Sequence, residues 1–152
     1  MLKQLVLFVP LMALAADPAG FTVWKSADLK GYEKKLAPKM DAQKVATQNL
    51  ANYGNHLAMV AHREANGQAE LHVHTVDVFV IESGEATLVV GGTIPGSKTT
   101  APGEVRGPNV EGGTRHEVAA GDVVHIPANT PHQILVDAGK QVTYFVVKVE
   151  TK

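Results

Sequence analysis

From Val45 onward, the apolar positions fall into short runs rich in Val, Ile, Thr and Phe, separated by Gly, Asn and Pro. This is the pattern of antiparallel strands and hairpins. The runs predict strands over 45–50, 56–63, 69–74, 76–81, 85–90, 115–118, 123–126, 132–136 and 141–149, with turns at Asn66-Gly67, Ser83-Gly84, Ala120-Gly121 and Ala138-Gly139. So many short strands in one small domain point to a closed or two-sheet β structure, an arrangement that also protects strand edges. In 141–149, both alternating sets of side chains are apolar, which marks barrel core or a subunit interface. Upstream the period changes. Leu29, Tyr32 and Leu36 recur at helical spacing, with Ser26 as the expected N-cap, Asp28 in the first turn, Lys34 and Lys35 near the end and Pro38 as the stop. Trp24 and this helix are expected to cover core. Residues 91–113 contain too many Gly and Pro for continuous regular structure and are expected to be a long loop, either plain or closing over a pocket.

The first residues carry a different signal. Lys3, an apolar stretch over 5–14 interrupted by Pro10, and Ala13-Leu14-Ala15 have the form of a secretory leader with a small-x-small cleavage site. The expected organisation is a signal peptide over 1–15, an N-terminal segment with one helix over 16–44 and an all-β domain over 45–152. An exported chain, periplasmic or extracellular, follows from that leader.

The chain has 152 residues, with 14 Lys and Arg against 15 Asp and Glu. This balance lacks the basic excess that neutralising several phosphates requires, so nucleic acid is excluded as a partner, as is an anionic membrane once the leader is removed. The absence of Cys removes disulfides, thiol nucleophiles and Cys-ligated metals. Any metal must be held by His or carboxylate.

All seven His lie between residues 56 and 132. In His72-Val73-His74 the period of a strand places both imidazoles on one face, with Glu70 sharing that face by parity. Asp77 heads the next apolar run, where Phe79 follows on its face. His132 comes after Gly121, a short strand and the turn Pro127-Ala128-Asn129-Thr130-Pro131. Three imidazoles and a carboxylate make a mixed N/O donor set suited to a divalent transition metal, with Mn, Fe, Zn, Cu and Ni all open.

These residues resemble the two motifs of the cupin superfamily, particularly its small conserved-barrel members with a single domain. The first motif runs Gly, His-x-His, three or four residues, Glu, six residues, Gly. The second runs Gly, five residues, Pro-x-Gly, two residues, His, three residues, Asn. His72 and His74 match the paired His, Asp77 stands for the Glu, and Gly84 is the closing Gly. Gly121, Pro127 and His132 match the second motif, with Asn129 in place of its Gly and Val136 in place of its Asn. Only two residues separate His74 from Asp77, so Glu70 is an alternative donor.

The resemblance implies a jelly-roll β-barrel with one divalent metal ion inside it, held by His72, His74, Asp77 and His132, and a small molecule entering at one mouth. Pocket or neighbouring positions are expected for Glu70, Phe79, His62 and His125, while His56 and His116 are read as surface residues. A homodimer is compatible, since dimers are common among such proteins. The function expected is a secreted metal-dependent enzyme of oxygenase or lyase/isomerase type acting on a small organic molecule. The alternative is a non-catalytic module that binds a small ligand or metal, and a metal-free barrel with structural His is the third reading. No separate catalytic residue can be named from the sequence.

Overall fold

The structure is a computed structural model that describes residues 16–151; the expected leader lies outside the described residues. Ten strands form two facing sheets, with neighbouring strands antiparallel throughout. They are β1 (Val45–Asn52), β2 (His56–Arg63), β3 (Ala69–His72), β4 (Thr75–Val90), β5 (Lys98–Ala101), β6 (Glu104–Gly107), β7 (Thr114–Ala119), β8 (Val123–Ile126), β9 (His132–Leu135) and β10 (Val142–Glu150). The first sheet orders β1, β2, β10, the N-terminal half of β4 and β8. The second orders β7, the C-terminal half of β4, β9, β3, β6 and β5.

The strand shared by both sheets corrects one expectation. A turn was expected at Ser83-Gly84, yet β4 runs unbroken through it and bends instead. Gly84 takes φ +75°, and a Cβ there would collide with the carbonyl of Gln141, so the left-handed backbone makes a sheet corner rather than a hairpin. The pairing with β10 slips opposite Thr143 and Tyr144, then resumes. The bend lets one strand face the core from both sheets.

That core is formed by inward side chains from both sheets, including Phe79, Ile81, Leu88, Ile126, Ile134, Tyr144 and Val146. The outer face of β2 and β10 is also apolar. There Ala58, Val60 and Phe145 pack against Leu29 and Leu36, with Trp24 and Tyr32 around them and the Trp24 and Phe145 rings 5.2 Å apart. Both faces of β10 are therefore covered within the chain, which answers the choice between core and subunit interface in favour of core. The helical cover is two short pieces, α1 (Ser26–Lys30) and α2 (Tyr32–Leu36), divided at Gly31 and followed by a 3₁₀ turn at Ala37–Lys39 that contains Pro38. Ser26 is the first helical residue rather than the cap, and Lys25 precedes it without a side-chain capping bond.

Residues 91–113 are not a long loop. They form the β5–β6 hairpin, flanked by a Thr93–Glu111 bridge, and β6 pairs along the whole length of β3. At its tip Gly103 has φ +74°, and its carbonyl accepts from Val73 N at 2.8 Å. No helix among the described residues is long and apolar enough to cross a membrane.

Candidate metal centre

The site lies on the inner faces of β3, β4, β9 and β10. Glu70 and His72 project from β3 on one face, as strand parity requires. Glu70 stands opposite His132 of β9, and Asp77 of β4 stands opposite Lys148 of β10. The turn before His132 fixes the spacing between these strands. Asn129 adopts φ +58°, a left-handed conformation that Asn tolerates, and its N–H donates to the His72 carbonyl at 2.7 Å. The backbone of the second motif is thereby tied directly to the strand of the first.

Glu70, His72 and His132 each offer one donor atom within 4.8 Å of the others. Asp77 Oδ2 lies 3.4 Å from His72 Nε2 and 3.7 Å from His132 Nε2. His72, Asp77 and His132 are buried and Glu70 is half-buried. Both imidazoles are oriented through Nδ1. His132 Nδ1 is 3.0 Å from the Thr130 carbonyl and donates to it, and His72 Nδ1 is 2.7 Å from Glu104 Oε2. Each Nε2 then faces the cluster, the arrangement that fixes the tautomer of a metal-ligating histidine.

Cations surround the carboxylates. Lys148 Nζ donates to Asp77 Oδ1 at 2.8 Å and Oδ2 at 2.9 Å and lies 3.0 Å from His72 Nε2. Arg106 Nη2 reaches Glu104 at 2.8 Å and Glu70 at 3.5 Å, and Arg63 Nη2 reaches Glu70 at 3.3 Å. Arg63 Nε also donates to the Tyr144 hydroxyl at 2.9 Å. Glu70, Asp77 and Glu104 are thus balanced by Arg63, Arg106 and Lys148.

This balance determines the protonation states. Burial opposes ionisation of Glu70, but the hydrogen bond to His72 and the charges of Arg106 and Arg63 outweigh it and hold the carboxyl at about 2. Asp77 is also lowered: burial is overcome by the His72 hydrogen bond and by Lys148. Burial pushes His132 down and keeps it neutral. For His72, burial opposes the charged form, while hydrogen bonds that it donates to Asp77 and Glu70 push it up to about 9, against Lys148. An imidazolium cannot accept a proton from an ammonium. Either Lys148 donates to a neutral His72, or a charged His72 donates to a carboxylate; in both states a positive charge sits among the donors. Burial, against Arg63, raises the Tyr144 phenol and keeps it protonated.

A cavity of about 190 Å³ opens beside the cluster, lined by Arg63, Glu70, Phe79, Arg106, Tyr144 and Lys148 among others. Phe79 lines it as expected, with its ring centroid 6.4 Å from that of His132.

Three expected residues are placed elsewhere. His74 is exposed in the turn after β3, because the strand ends at His72 where the chain crosses between sheets; that turn is tied down through the Val73 N–H and the His74 carbonyl, which accepts from Thr151. The paired positions nearest the cluster are therefore Glu70 and His72. Four residues then separate His72 from Asp77, a spacing the first motif allows, and the short gap after His74 no longer matters. His62 is buried on the outer face of β2, with Nδ1 2.8 Å from Thr143 Oγ1 and Nε2 3.3 Å from Glu64 Oε1, away from the cavity. His125 is exposed, because Val124 and Ile126 take the inward positions of β8. Of the expected surface residues, His116 is exposed, and His56 is half-buried with its ring stacked on Tyr53. Sequence reasoning missed Arg63, Glu104, Arg106, Tyr144 and Lys148.

No protein-family model matches the chain, and no curated protein matches it. Solved structures do. A protein of Thermus thermophilus matches with TM-score 0.56 at 16% identity, covering 78% of this chain and 94% of its own. The cupin domain of Schizosaccharomyces pombe Cnp3 matches with TM-score 0.53 at 14% identity, covering 74% and 70%. A cupin 2 conserved barrel domain protein from Rhodopseudomonas palustris matches with TM-score 0.51 at 24% identity, covering 70% and 61%. Other structures with this likeness are described as oxalate oxidase, a polyketide cyclase and a putative mannose-6-phosphate isomerase. At these identities the likeness establishes the architecture: the chain has the cupin, or double-stranded β-helix, fold.

Proposed function

We propose that the protein binds one divalent transition metal through Glu70, His72, Asp77 and His132 and acts with it on a small anionic organic molecule. The observation that carries this reading is the convergence of these donors beside the cavity, with the two imidazoles oriented through Nδ1. The donor set fits such an ion: two neutral-capable imidazoles and two carboxylates kept ionised by their cations. The ion supplies Lewis acidity and a point of chelation for substrate oxygen.

The chain's own groups define the rest. The cavity is smaller than the roughly 300–1,000 Å³ usual for ligand pockets, which favours a small substrate. Arg63 and Arg106 border it with guanidinium donors suited to a carboxylate or enolate. The Tyr144 hydroxyl accepts from Arg63 and has its own proton to donate to a substrate oxygen. Phe79, Ile134 and Val146 give its lining apolar surface. An oxygenase or a lyase/isomerase suits this frame, and the varied activities in the names of the fold neighbours support neither over the other. Export remains part of the proposal; it predicts a mature chain beginning near residue 16, which N-terminal sequencing of the native protein checks.

One observation favours a second reading, capture of a ligand without turnover. Glu70, Asp77 and Glu104 are each paired to a cation, so the cavity presents no uncommitted carboxylate as a general base. Elemental analysis of the purified protein beside a His72→Ala/His132→Ala variant tests the metal. Near-stoichiometric metal lost in the variant is expected, and no metal in either protein, even after reconstitution, contradicts the proposal. Recovery of bound small carboxylates unchanged by the loaded protein supports capture; their conversion supports the enzyme.

A further inference from the structure

Two of the proposed donors, Asp77 and His72, already hold a cation belonging to the chain. Lys148 stands directly across from Asp77 in the β4–β10 register, and its ammonium bonds both Asp77 oxygens and lies 3.0 Å from His72 Nε2. These are lone pairs that a metal needs. Transition-metal bonds to carboxylate oxygen and imidazole nitrogen are about 2.0–2.2 Å long and use the acceptor directions that the ammonium hydrogens occupy. The single lone pair of His72 Nε2 cannot serve both cations, and a divalent ion beside an ammonium on the same carboxylate is repelled as well.

Lys148 has a second place for its charge. Its side chain is 24% exposed and also borders a second crevice, lined by Asn52, Thr75, Glu104 and Glu150 among others. A flexible four-carbon stem carries the ammonium from one set of oxygens to the other without moving the backbone. Neither Arg63 nor Arg106 duplicates this role, since both face Glu70 rather than Asp77.

Building on the metal reading, we infer that Lys148 is a resident competing cation: it holds Asp77 and His72 in place in the metal-free chain and must withdraw toward Glu104 and Glu150 when a divalent ion binds. Lys148 thereby sets the metal concentration at which the site fills. Removing its charge relieves the competition and exposes the cost of leaving Asp77 without its ammonium partner.

The test is titration of chelator-stripped protein with Zn²⁺ or Mn²⁺ alone, for the wild type, Lys148→Met and Lys148→Gln, together with the melting temperature of each metal-free form. The two variants guard against a folding failure of either one. The expected result is metal binding at least tenfold tighter in both variants, with the metal-free forms melting several degrees lower. Binding in the variants but none in the wild type also supports the competition, while overturning the proposal that the native protein works with a metal. Equal or weaker binding in the variants overturns the inference and leaves the metal reading standing. No binding in any of the three overturns both.

Discussion

The two faces of β2 and β10 bury polar groups on different terms. On the outer face the buried histidine His62 belongs to a chain that links Glu64, His62, Thr143, Gln141, Ser83 and Glu33, with the last bond from Ser83 Oγ to Glu33 Oε2 at 2.8 Å. That chain satisfies its members and ties the helical cover to the sheet. On the inner face His72 and His132 meet three carboxylates and three cations beside a cavity. Apolar side chains would pack there at lower electrostatic cost, so this concentration of charge is better understood as a site than as a stabilising core. Burial of a histidine alone does not distinguish the two faces; the chemistry around it does.

The contrast predicts that outer-face changes alter stability and spare metal binding, while inner-face changes alter metal binding. Leu36, 1% exposed, is central to the helical cover. Leu36→Ala is expected to cost about 2–5 kcal/mol in chemical denaturation with metal stoichiometry unchanged; loss of metal in a folded variant breaks the separation.

Glu70 gives a pH-dependent signature. Its carboxyl is held at about 2 against an ordinary 4.5, so its stabilising contribution is present above pH 4.5 and is lost as pH falls through about 2. In metal-free protein the wild type is expected to exceed Glu70→Gln by about 3 kcal/mol near pH 6, an advantage that shrinks steadily toward pH 2. Urea unfolding at several pH values measures it, and a pH-independent difference contradicts the assigned ion pairs. Ser83→Ala is expected to cost about 1 kcal/mol by releasing Glu33. His125→Ala is expected to change neither stability nor metal content, since the side chain is exposed on the outer face of β8.

Much of the architecture was legible in the sequence. The limits of β2 and β8 match their apolar runs, and Leu29 and Leu36 mark the buried face of the helical cover. The hairpin in residues 91–113 was not foreseen, because its strands, exposed Lys98–Ala101 and half-buried Glu104–Gly107, are mostly polar and Gly-rich flanks hide them. Pro102-Gly103 between them is the signature of a tight turn and was the available signal. That omission also hid Glu104 and Arg106.

In the proposed site, strand parity and motif spacing single out Glu70, His72, Asp77 and His132, which lie together in the structure. The placement of His74 failed because periodicity cannot show where a strand ends. Lys148 depends on pairing between β4 and β10, distant in sequence, although the alternation of Tyr144, Val146 and Lys148 places the lysine on an inward face. Charge partners supplied by distant strands are set by register rather than by local pattern.

The central claim is that Glu70, His72, Asp77 and His132 form the donor set and that His74 does not. Calorimetric titration of Zn²⁺ into chelator-stripped wild type, His74→Ala and His132→Ala tests it most directly. One equivalent is expected to bind the wild type, with the same affinity in His74→Ala and a loss of at least about 100-fold in His132→Ala. Equal losses in the two variants would contradict it.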